Sequence, residues 1–375
     1  MSVADSLLAN GPFTFGWDVG GAHLKVSLAG ADGRVLDVGQ WACPLWQGLD
    51  HLNRTIDLVF ARWPSARGDD AEHAVTMTGE MVDLFPSRED GVRVLAATLA
   101  ERLGPHLRIY AGALGWLTSE ECASGWRSVA SANWIATASL VATSLTSAIL
   151  VDIGSTTTDI VPIAGGRVAA RSTDDAGRLA TGELVYLGAV RTPLCALAQR
   201  VAFGGAQVNV MNEWFATTAD VYRLTGELDP DCDVQPSADH GPKTEAGSRV
   251  RLARMIGRDA GDATDDDWHA FAMQWRTLQL RETALNLARV EAAHQALAHA
   301  PIVGAGCGRF LARALAREEG RGYIDFATLA GASARLADWT ATCAPSVAVA
   351  LLATRERAAR DRMAVRDLRA AGSAG

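Results

Sequence analysis

Four hydroxyl side chains stand in a row in the stretch VDIGSTTTDIVPI, residues 151–163. They are Ser155, Thr156, Thr157 and Thr158, and Gly154 precedes them. A buried strand has no use for such a row, whereas hydroxyl groups and main-chain N–H groups at a glycine turn together bind phosphate oxygens. The row therefore predicts a turn that binds phosphate or diphosphate.

The same pattern occurs nearer the N-terminus, in FTFGWDVGGAHLKVSLAGADGRV, residues 13–35. Asp18 corresponds to Asp152, 134 residues further along the chain, and both copies run on to Gly-Arg-Val. Each copy combines an apolar strand, an Asp-x-Gly turn and a second strand with alternating apolar residues. The repeat predicts two β-hairpins in two similar lobes that face each other across a central cleft, with Gly20 and Gly21 in the first phosphate-binding turn.

The charged residues of the two copies indicate a metal site. A carboxylate repels phosphate unless a divalent cation lies between them, so Asp18 and Asp152 predict a Mg²⁺ site, with an ordinary Asx-turn hairpin as the alternative for one copy alone. Lys25, one strand beyond the first turn, is expected to balance phosphate charge. Asp159 points, by strand alternation, to the side opposite Thr158 and is a second candidate for metal binding or base catalysis.

A third glycine-rich segment, APIVGAGCGRFLARAL, covers residues 300–315. It is typical of a short strand, a turn and an amphipathic helix, and a glycine turn before a helix N-terminus binds anions. We therefore expect Gly304 and Gly306 to contact phosphate. The alternative is close packing of strand on helix.

Two acidic segments supply further candidates. In TMTGEMVDLF (76–85), Glu80 is a candidate catalytic base or ammonium ligand; the alternative is a carboxylate that complements a helix dipole. In WLTSEEC (116–122), Glu120 is a candidate substrate ligand, although the spacing is equally typical of a helix-capping sequence.

Four more residues are candidate substrate ligands. Asn133 and Trp134 lie among small residues in SVASANWIATA (128–138), where the indole is expected to stack on an aromatic ring. Arg191, between a strand and a proline turn, is suited to pair with a diphosphate or a carboxylate. Asp220 stands in an apolar run and needs a cationic partner, either a substrate ammonium or a structural arginine.

Composition excludes several classes of protein. The 375 residues are 49% hydrophobic and 21% charged, which is typical of a folded globular protein with room for two domains. A formal charge of −8 argues against a nucleic-acid partner, and no apolar run is long enough for a membrane helix. The six scattered cysteines and the absence of a signal-like N-terminus favour a cytoplasmic protein with reduced thiols.

The chain divides on this basis into four parts. Residues 1–12 are expected to be a loose leader and 13–130 the first lobe. Residues 131–345 form the second lobe, in which the Asp-, Gly- and Pro-rich stretch 229–267 predicts an insertion or mobile loop. Residues 346–375 predict a helix that returns to the first lobe.

Several strings together resemble a known family. The chain is similar to the methanofuran and methylofuran biosynthesis proteins, labelled tetrahydromethanopterin-linked one-carbon-transfer proteins in methylotrophs. They form a hydantoinase/oxoprolinase-like branch of the actin/Hsp70/sugar-kinase superfamily. The matching strings are WDVGGAHLK (17–25), TMTGEMVDLF (76–85), WLTSEE (116–121), SVASANWIATA (128–138), VDIGSTTTDIVPI (151–163), LVYLGAVRTPL (184–194), FATTADVYRLTGEL (215–228) and APSVAVALL (344–352).

The resemblance implies an α/β protein with the two-lobed actin-like ATPase fold, which is ribonuclease H-like. It also implies a transferase that joins an aminomethylfuran-methyl diphosphate to the phenol oxygen of a glutamyl-tyramine or tyrosine acceptor. The product is an aryl ether, and pyrophosphate leaves with the help of Mg²⁺. The implied partners are these small molecules, and a homo-oligomer is compatible with the sequence.

Two other functions fit the same residues. One is an ATP-dependent kinase or lactam hydrolase of the same fold, which needs an adenosine pocket near Gly304–Gly308. The other is a nucleotide-gated regulatory module, which needs the glycine turns and not the cluster of Glu80, Asn133 and Arg191.

Overall fold

The computed structural model describes residues 12–372, and the side chains of residues 12–363. The expected leader therefore lies outside the described residues, apart from Pro12.

The described residues form strands and helices in alternating groups. The strands are β1 Thr14–Val19, β2 His23–Ala29, β3 Val35–Ala42, β4 Glu72–Met77, β5 Leu107–Tyr110, β6 Trp116–Leu117, β7 Ser147–Ile153, β8 Thr158–Ala164, β9 Arg167–Val168, β10 Leu184–Val185, β11 Arg200–Phe203, β12 Ala206–Asn209, β13 Ile302–Ala305 and β14 Tyr323–Asp325. The α-helices are α1 Leu49–Arg62, α2 Arg88–Leu103, α3 Cys122–Val129, α4 Asn133–Ala142, α5 Asp175–Thr181, α6 Thr218–Leu224, α7 Glu245–Arg254, α8 Asp265–Ala293, α9 Arg309–Glu318, α10 Phe326–Leu329, α11 Ala337–Thr342 and α12 Ala344–Gly372.

These elements build two compact units. Unit 1 runs to Ser144 and resumes at Ala327, and unit 2 runs from Leu145 to Phe326. The boundaries differ from the expected ones at 130/131 and 345/346. Helix α4 belongs to unit 1 because it packs against α12 and because the Tyr110 hydroxyl donates to Ser139 Oγ at 3.2 Å.

Unit 1 is built on a six-stranded sheet in the order β3-β2-β1-β4-β5-β6. Strands β1, β2 and β3 are antiparallel neighbours, whereas β4 and β5 run parallel to β1. Alternate residues of β1, including Trp17, face a core shared with residues of α1 and α2. The opposite face meets α12, where Thr354 Oγ1 donates to Thr14 Oγ1 at 3.0 Å.

Unit 2 repeats this arrangement. Its main sheet has the order β10-β8-β7-β13-β14, with β7 and β8 antiparallel and β13 and β14 parallel to β7. Alternate residues of β7, including Val151, face an aromatic core that contains Trp268 and Trp275 of α8. Both sheets thus combine an antiparallel hairpin with parallel strands beside the first strand, which is the ribonuclease H-like order. The predicted α/β, actin-like ATPase fold is confirmed.

The stretch 229–267, for which an insertion or mobile loop is predicted, contains helix α7. Helix α7 carries Arg251, whose side chain is 1% exposed and binds Asp220 at 2.8 Å and Asp239 at 3.1 Å. Such a buried ion-pair network ties the surrounding segments together, which the loop-like composition of this stretch did not reveal.

Candidate functional site in the two glycine hairpins

The second hairpin turns at Gly154–Thr157. Gly154 N donates to Thr157 O at 2.9 Å, which closes the turn between β7 and β8. Ser155, Thr156 and Thr157 are half-buried there, and the Ser155 and Thr156 hydroxyl oxygens lie 3.4 Å apart. The turn therefore presents a pair of adjacent hydroxyl groups, which is the chemistry expected of a phosphate-binding turn.

A second loop, residues 187–192, holds this turn from outside. The Val190 and Arg191 N–H groups donate to Ser155 O at 3.1 and 2.8 Å, and Ala189 N donates to Gly154 O at 2.9 Å. We call residues 187–192 the bracing loop. It brings Arg191 to the hydroxyl pair, where Nη1 lies 3.4 Å from Thr156 Oγ1. An arginine beside two hydroxyl groups favours binding of a polyanion.

Thr158 has a different role from its neighbours. Its side chain is fully buried, and Oγ1 donates to Leu187 O of the bracing loop at 2.6 Å. The hydroxyl predicted to contact phosphate therefore makes a structural hydrogen bond. Thr158 is the first residue of β8, so the alternation of side chains along the strand, and not the turn, sets the direction of its side chain.

Asp152 and Asp159 lie directly opposite each other on β7 and β8. Both are nearly buried, at 7% and 8% exposure. Arg178 on α5 donates to Asp159 Oδ1 at 2.8 Å and to Glu183 O at 2.9 Å, and its side chain is 1% exposed. Burial raises the pKa of Asp159, and the Arg178 charge acts against that rise. The Asp159 carboxylate is thus paired with a buried arginine.

Gly306 packs closely against Ile153 and Asp152. It has a φ of +81°, and a Cβ on it would lie 2.1 Å from Ile153 O and 2.6 Å from Asp152 Oδ1. A glycine is required there for both reasons. A strand-end carboxylate fits Mg²⁺, which in proteins takes one or two carboxylates and completes its shell with water and substrate phosphates. Within residues 12–363, no group of three or more His, Cys, Asp or Glu side chains suits a metal ion.

Gly304 lies away from the turn and packs instead. It is part of β13, and a Cβ on it would lie 2.4 Å from the Tyr323 hydroxyl. The structure therefore supports the packing alternative for Gly304.

The first hairpin has the same backbone and different side chains. Gly20 N donates to His23 O at 3.0 Å, and Gly21 O accepts from Leu45 N at 3.0 Å. Asp18 lies opposite Lys25, and Lys25 Nζ donates to Thr342 O at 3.2 Å. The turn of unit 1 has no hydroxyl row, so its candidate functional groups are the Asp18 carboxylate and the Lys25 ammonium.

Glu80 lies in a buried cluster in unit 1. Its Oε1 accepts from Arg88 Nη2 at 3.0 Å and from Ser131 Oγ at 3.1 Å, and the residue is 1% exposed. Burial raises the pKa of Glu80 above its ordinary value, and the hydrogen bonds from Arg88 and Ser131 offset only part of that rise. Ser131 has a φ of +52°, which is rare for a residue other than glycine. A carboxylate with a raised pKa is suited to proton transfer, so a role as base stays a prediction.

The remaining candidates in unit 1 have local contacts. Glu120 is exposed in the turn before α3, where hydrogen bonds from its own N–H and from Thr118 and Ser119 lower its pKa. The capping contact itself is made by Glu121, whose Oε2 accepts from Thr118 N at 2.8 Å.

Asn133 and Trp134 begin α4. Asn133 Oδ1 accepts from Trp134 N at 2.8 Å, and the Trp134 side chain is almost completely buried at 2% exposure. Burial of the indole is typical of a core residue, and its stacking on a substrate ring stays a prediction.

Asp220 is a structural residue in unit 2. Its Oδ2 accepts from Thr217 N at 3.1 Å and caps α6, while Oδ1 accepts from Ser248 Oγ and from Arg251 Nε at 2.8 Å each. The partner that its burial demands is therefore arginine, the second of the two expected alternatives.

Sequence reasoning missed three contacts. Arg178 pairs with Asp159 across 19 residues, Arg88 pairs with Glu80, and Gly188 touches the turn from the bracing loop. The arginines carried no signal in an arginine-rich chain. Gly188 lies inside LVYLGAVRTPL, so a glycine between apolar residues and Arg191 was the available clue.

The profile of the hydantoinase/oxoprolinase family matches residues 72–354, about three quarters of the chain. The chain belongs to the hydantoinase/oxoprolinase family. The matched region contains the second hairpin, the bracing loop and Gly306 of this hydantoinase/oxoprolinase-family protein.

Two curated proteins are similar to the chain in sequence. Both are named as synthases of a furan-2-yl methanamine that carries a gamma-L-glutamylaminoethyl-phenoxymethyl group. The protein of Methanocaldococcus jannaschii is 32% identical over 259 residues, 68% of this chain and 75% of the relative. The protein of Methanococcus vannielii is 36% identical over 130 residues, 34% of this chain and 57% of the relative. The predicted resemblance is confirmed.

Among solved structures, the chain is similar to the activator of the 2-hydroxyisocaproyl-CoA dehydratase from Clostridium difficile with bound ADPNP. The TM-score is 0.46 at 12% identity, over 94% of this chain and 97% of the activator. No helix among the described residues is long and apolar enough to cross a membrane.

Proposed function

We propose that the chain is an ether-forming transferase of methanofuran or methylofuran biosynthesis. It condenses an aminomethylfuran-methyl diphosphate with the phenol oxygen of a glutamyl-tyramine or tyrosine acceptor. The name of both synthases contains a phenoxymethylfuran, which is the aryl ether that this reaction makes. The same reaction in this chain would act on small molecules, with no nucleic acid or membrane as partner.

The observation that carries the proposal is the convergence of donors at the second turn. The Ser155 and Thr156 hydroxyl groups lie 3.4 Å apart, and the Arg191 guanidinium lies 3.4 Å from Thr156 Oγ1. The leaving group of the proposed reaction is a diphosphate, which gains negative charge as its C–O bond breaks. Fixed donors stabilise such a developing charge because they need no reorganisation during the reaction.

The bonds formed and broken in the proposed reaction define what else the site must supply. The phenol oxygen forms a bond to the furan methylene carbon, and the electron pair of the broken C–O bond leaves with the diphosphate. The phenol proton goes to a base. Asp152 would hold Mg²⁺, which when bound neutralises charge on the diphosphate.

A direct assay tests this proposal. Purified protein is incubated with Mg²⁺, the synthetic furan diphosphate and either γ-glutamyl-tyramine or tyrosine, and the products are measured by mass spectrometry with a coupled pyrophosphate assay. We expect the ether and pyrophosphate in equal amounts with one of the two acceptors. A parallel incubation contains Mg²⁺ and ATP in place of the furan diphosphate. Hydrolysis of ATP there, with no ether formed in the first incubation, would instead favour the kinase or lactam-hydrolase alternative.

A further inference from the structure

Gly188 of the bracing loop packs tightly against the second turn. A Cβ on Gly188 would lie 2.4 Å from Ser155 C, Ser155 O and Thr156 N. All three are backbone atoms, so they cannot move aside without moving the turn itself. The position of the Gly188 backbone therefore sets the position of Ser155 and Thr156.

Buried side chains fix Gly188 from behind. Its carbonyl oxygen accepts from Thr218 Oγ1 at 2.9 Å and from Gln279 Nε2 at 3.1 Å. Thr192 Oγ1 accepts from Gly188 N at 2.8 Å, so both main-chain groups of the glycine are bound. Thr218 is on α6 and Gln279 is on α8, and both side chains are almost completely buried.

Gln279 is itself oriented by Tyr222. The Tyr222 hydroxyl donates to Gln279 Oε1 at 2.6 Å, and both residues are 0% exposed. Because the tyrosine occupies Oε1, the amide NH₂ of Gln279 is directed at Gly188 O. Burial raises the pKa of the Tyr222 phenol, so it remains a donor. Its ring also packs edge-on against Phe310 of α9, with centroids 4.8 Å apart.

We propose that Gln279 is a positioning residue for the diphosphate site. Through Gly188 O it holds the bracing loop against Ser155 and Thr156 and thereby sets the spacing of the two hydroxyl groups and the reach of Arg191. Gln279 lies 91 residues from Gly188 in sequence and acts without touching the substrate. This inference rests on the proposed function, because it assumes that the turn binds diphosphate.

The first test uses Gln279→Leu, which keeps the bulk of the side chain and removes the donor to Gly188. The matched control is Thr283→Val, one turn further along α8. Thr283 is equally buried, and its hydroxyl donates to Gln279 O of its own helix at 2.9 Å. Affinity for Mg²⁺-pyrophosphate is measured by isothermal titration calorimetry, and melting temperature is measured beside it. We expect affinity to fall at least about tenfold in Gln279→Leu and to be unchanged in Thr283→Val.

The second test needs no ligand. Amide hydrogen exchange is followed in the protein without ligand, on peptides that cover residues 154–158 and 187–192. The Ala189, Val190 and Arg191 N–H groups, which bind Gly154 O and Ser155 O, are expected to exchange faster in Gln279→Leu than in Thr283→Val. Tyr222→Phe removes only the hydroxyl that orients Gln279 and is expected to give a smaller increase. If Gln279→Leu fails to fold, Tyr222→Phe provides the same test.

The two tests separate this inference from the proposed function. Faster exchange together with weaker binding supports both. Faster exchange in a protein whose wild type does not bind Mg²⁺-pyrophosphate overturns the diphosphate role and leaves Gln279 as the residue that positions the turn. Exchange in Gln279→Leu and Tyr222→Phe equal to that of the Thr283→Val control overturns the inference.

Discussion

The two glycine hairpins share a backbone and differ in charge. Gly20 N binds His23 O in one, and Gly154 N binds Thr157 O, 134 residues further on, in the other. The strand residue opposite the first aspartate is Lys25 in unit 1, and the corresponding residue of unit 2, opposite Asp152, is Asp159.

In each unit, the charged residue opposite the aspartate has its own partner. Lys25 donates to a backbone carbonyl, that of Thr342, whereas Asp159 needs the buried cation Arg178. The turns differ in the same way, since Gly21 and Ala22 of unit 1 correspond to Ser155 and Thr156 of unit 2. The comparison indicates that the two copies of the hairpin keep the same main-chain hydrogen bond, whereas their side chains differ in charge and in their partners. In this chain, the second hairpin is the one equipped to bind an anion.

The largest effect is expected from breaking the buried pair of unit 2. Arg178→Met leaves the Asp159 carboxylate buried without its cation, which costs about 3–5 kcal/mol in the free energy of unfolding. Urea denaturation measures this loss. The double variant Asp159→Leu with Arg178→Met is expected to recover most of it, and failure to recover would show that Arg178 stabilises the fold by some other contact.

The same pair predicts a pH dependence. Burial raises the pKa of Asp159 above its ordinary value, so its contribution to stability is present at low pH and is lost as pH rises through the raised pKa. Without Arg178 the pKa rises further, and the loss moves to higher pH. Denaturation of Arg178→Met between pH 5 and 8 is expected to show a steeper decline than Asp159→Asn with Arg178→Met. Equal slopes would contradict the assignment to Asp159.

The next effect is expected at the contact between the bracing loop and the turn. Gly188→Ala inserts a methyl group into backbone atoms of Ser155 and Thr156, an overpacking that costs about 1–3 kcal/mol. It should also abolish measurable pyrophosphate binding, because the turn must shift. Gly261→Ala is the control, since a Cβ on Gly261 meets no atom within 4 Å. Unchanged pyrophosphate affinity in Gly188→Ala would mean that the turn tolerates displacement.

A smaller effect separates two neighbours in the hydroxyl row. Thr158→Val loses the buried bond to Leu187 O and should lower the free energy of unfolding by about 1.5 kcal/mol. Thr156→Val should leave stability within about 0.5 kcal/mol and weaken pyrophosphate binding. Denaturation and calorimetry on both variants test the contrast. The distinction fails if Thr156→Val is as unstable as Thr158→Val.

The smallest effect is expected in unit 1. Lys25→Met removes the bond to Thr342 O and should cost about 1 kcal/mol or less, because that bond is only partly buried. A loss as large as that of Arg178→Met, measured in the same urea titration, would show that the two hairpins are equally dependent on their cations.

The sequence predicts the local parts of this site and few of its long-range contacts. The hairpins follow from strand alternation and glycine turns, and the repeat places Lys25 and Asp159 at equivalent positions. The sequence predicts a phosphate contact for Thr158 and leaves a substrate ammonium and a structural arginine open for Asp220, because a hydroxyl or carboxylate near a turn looks the same whether its partner is substrate or protein. The partners proved to be Leu187 O and Arg251, which only tertiary packing brings near.

The measurement that tests the account most directly is calorimetric titration of pyrophosphate and of ATP, each with and without Mg²⁺, into the wild type and Thr156→Val. The account predicts Mg²⁺-dependent pyrophosphate binding that is weakened in Thr156→Val, with weak or absent ATP binding. Tight Mg²⁺-ATP binding with no response to pyrophosphate would contradict it and would make the second hairpin a nucleotide site.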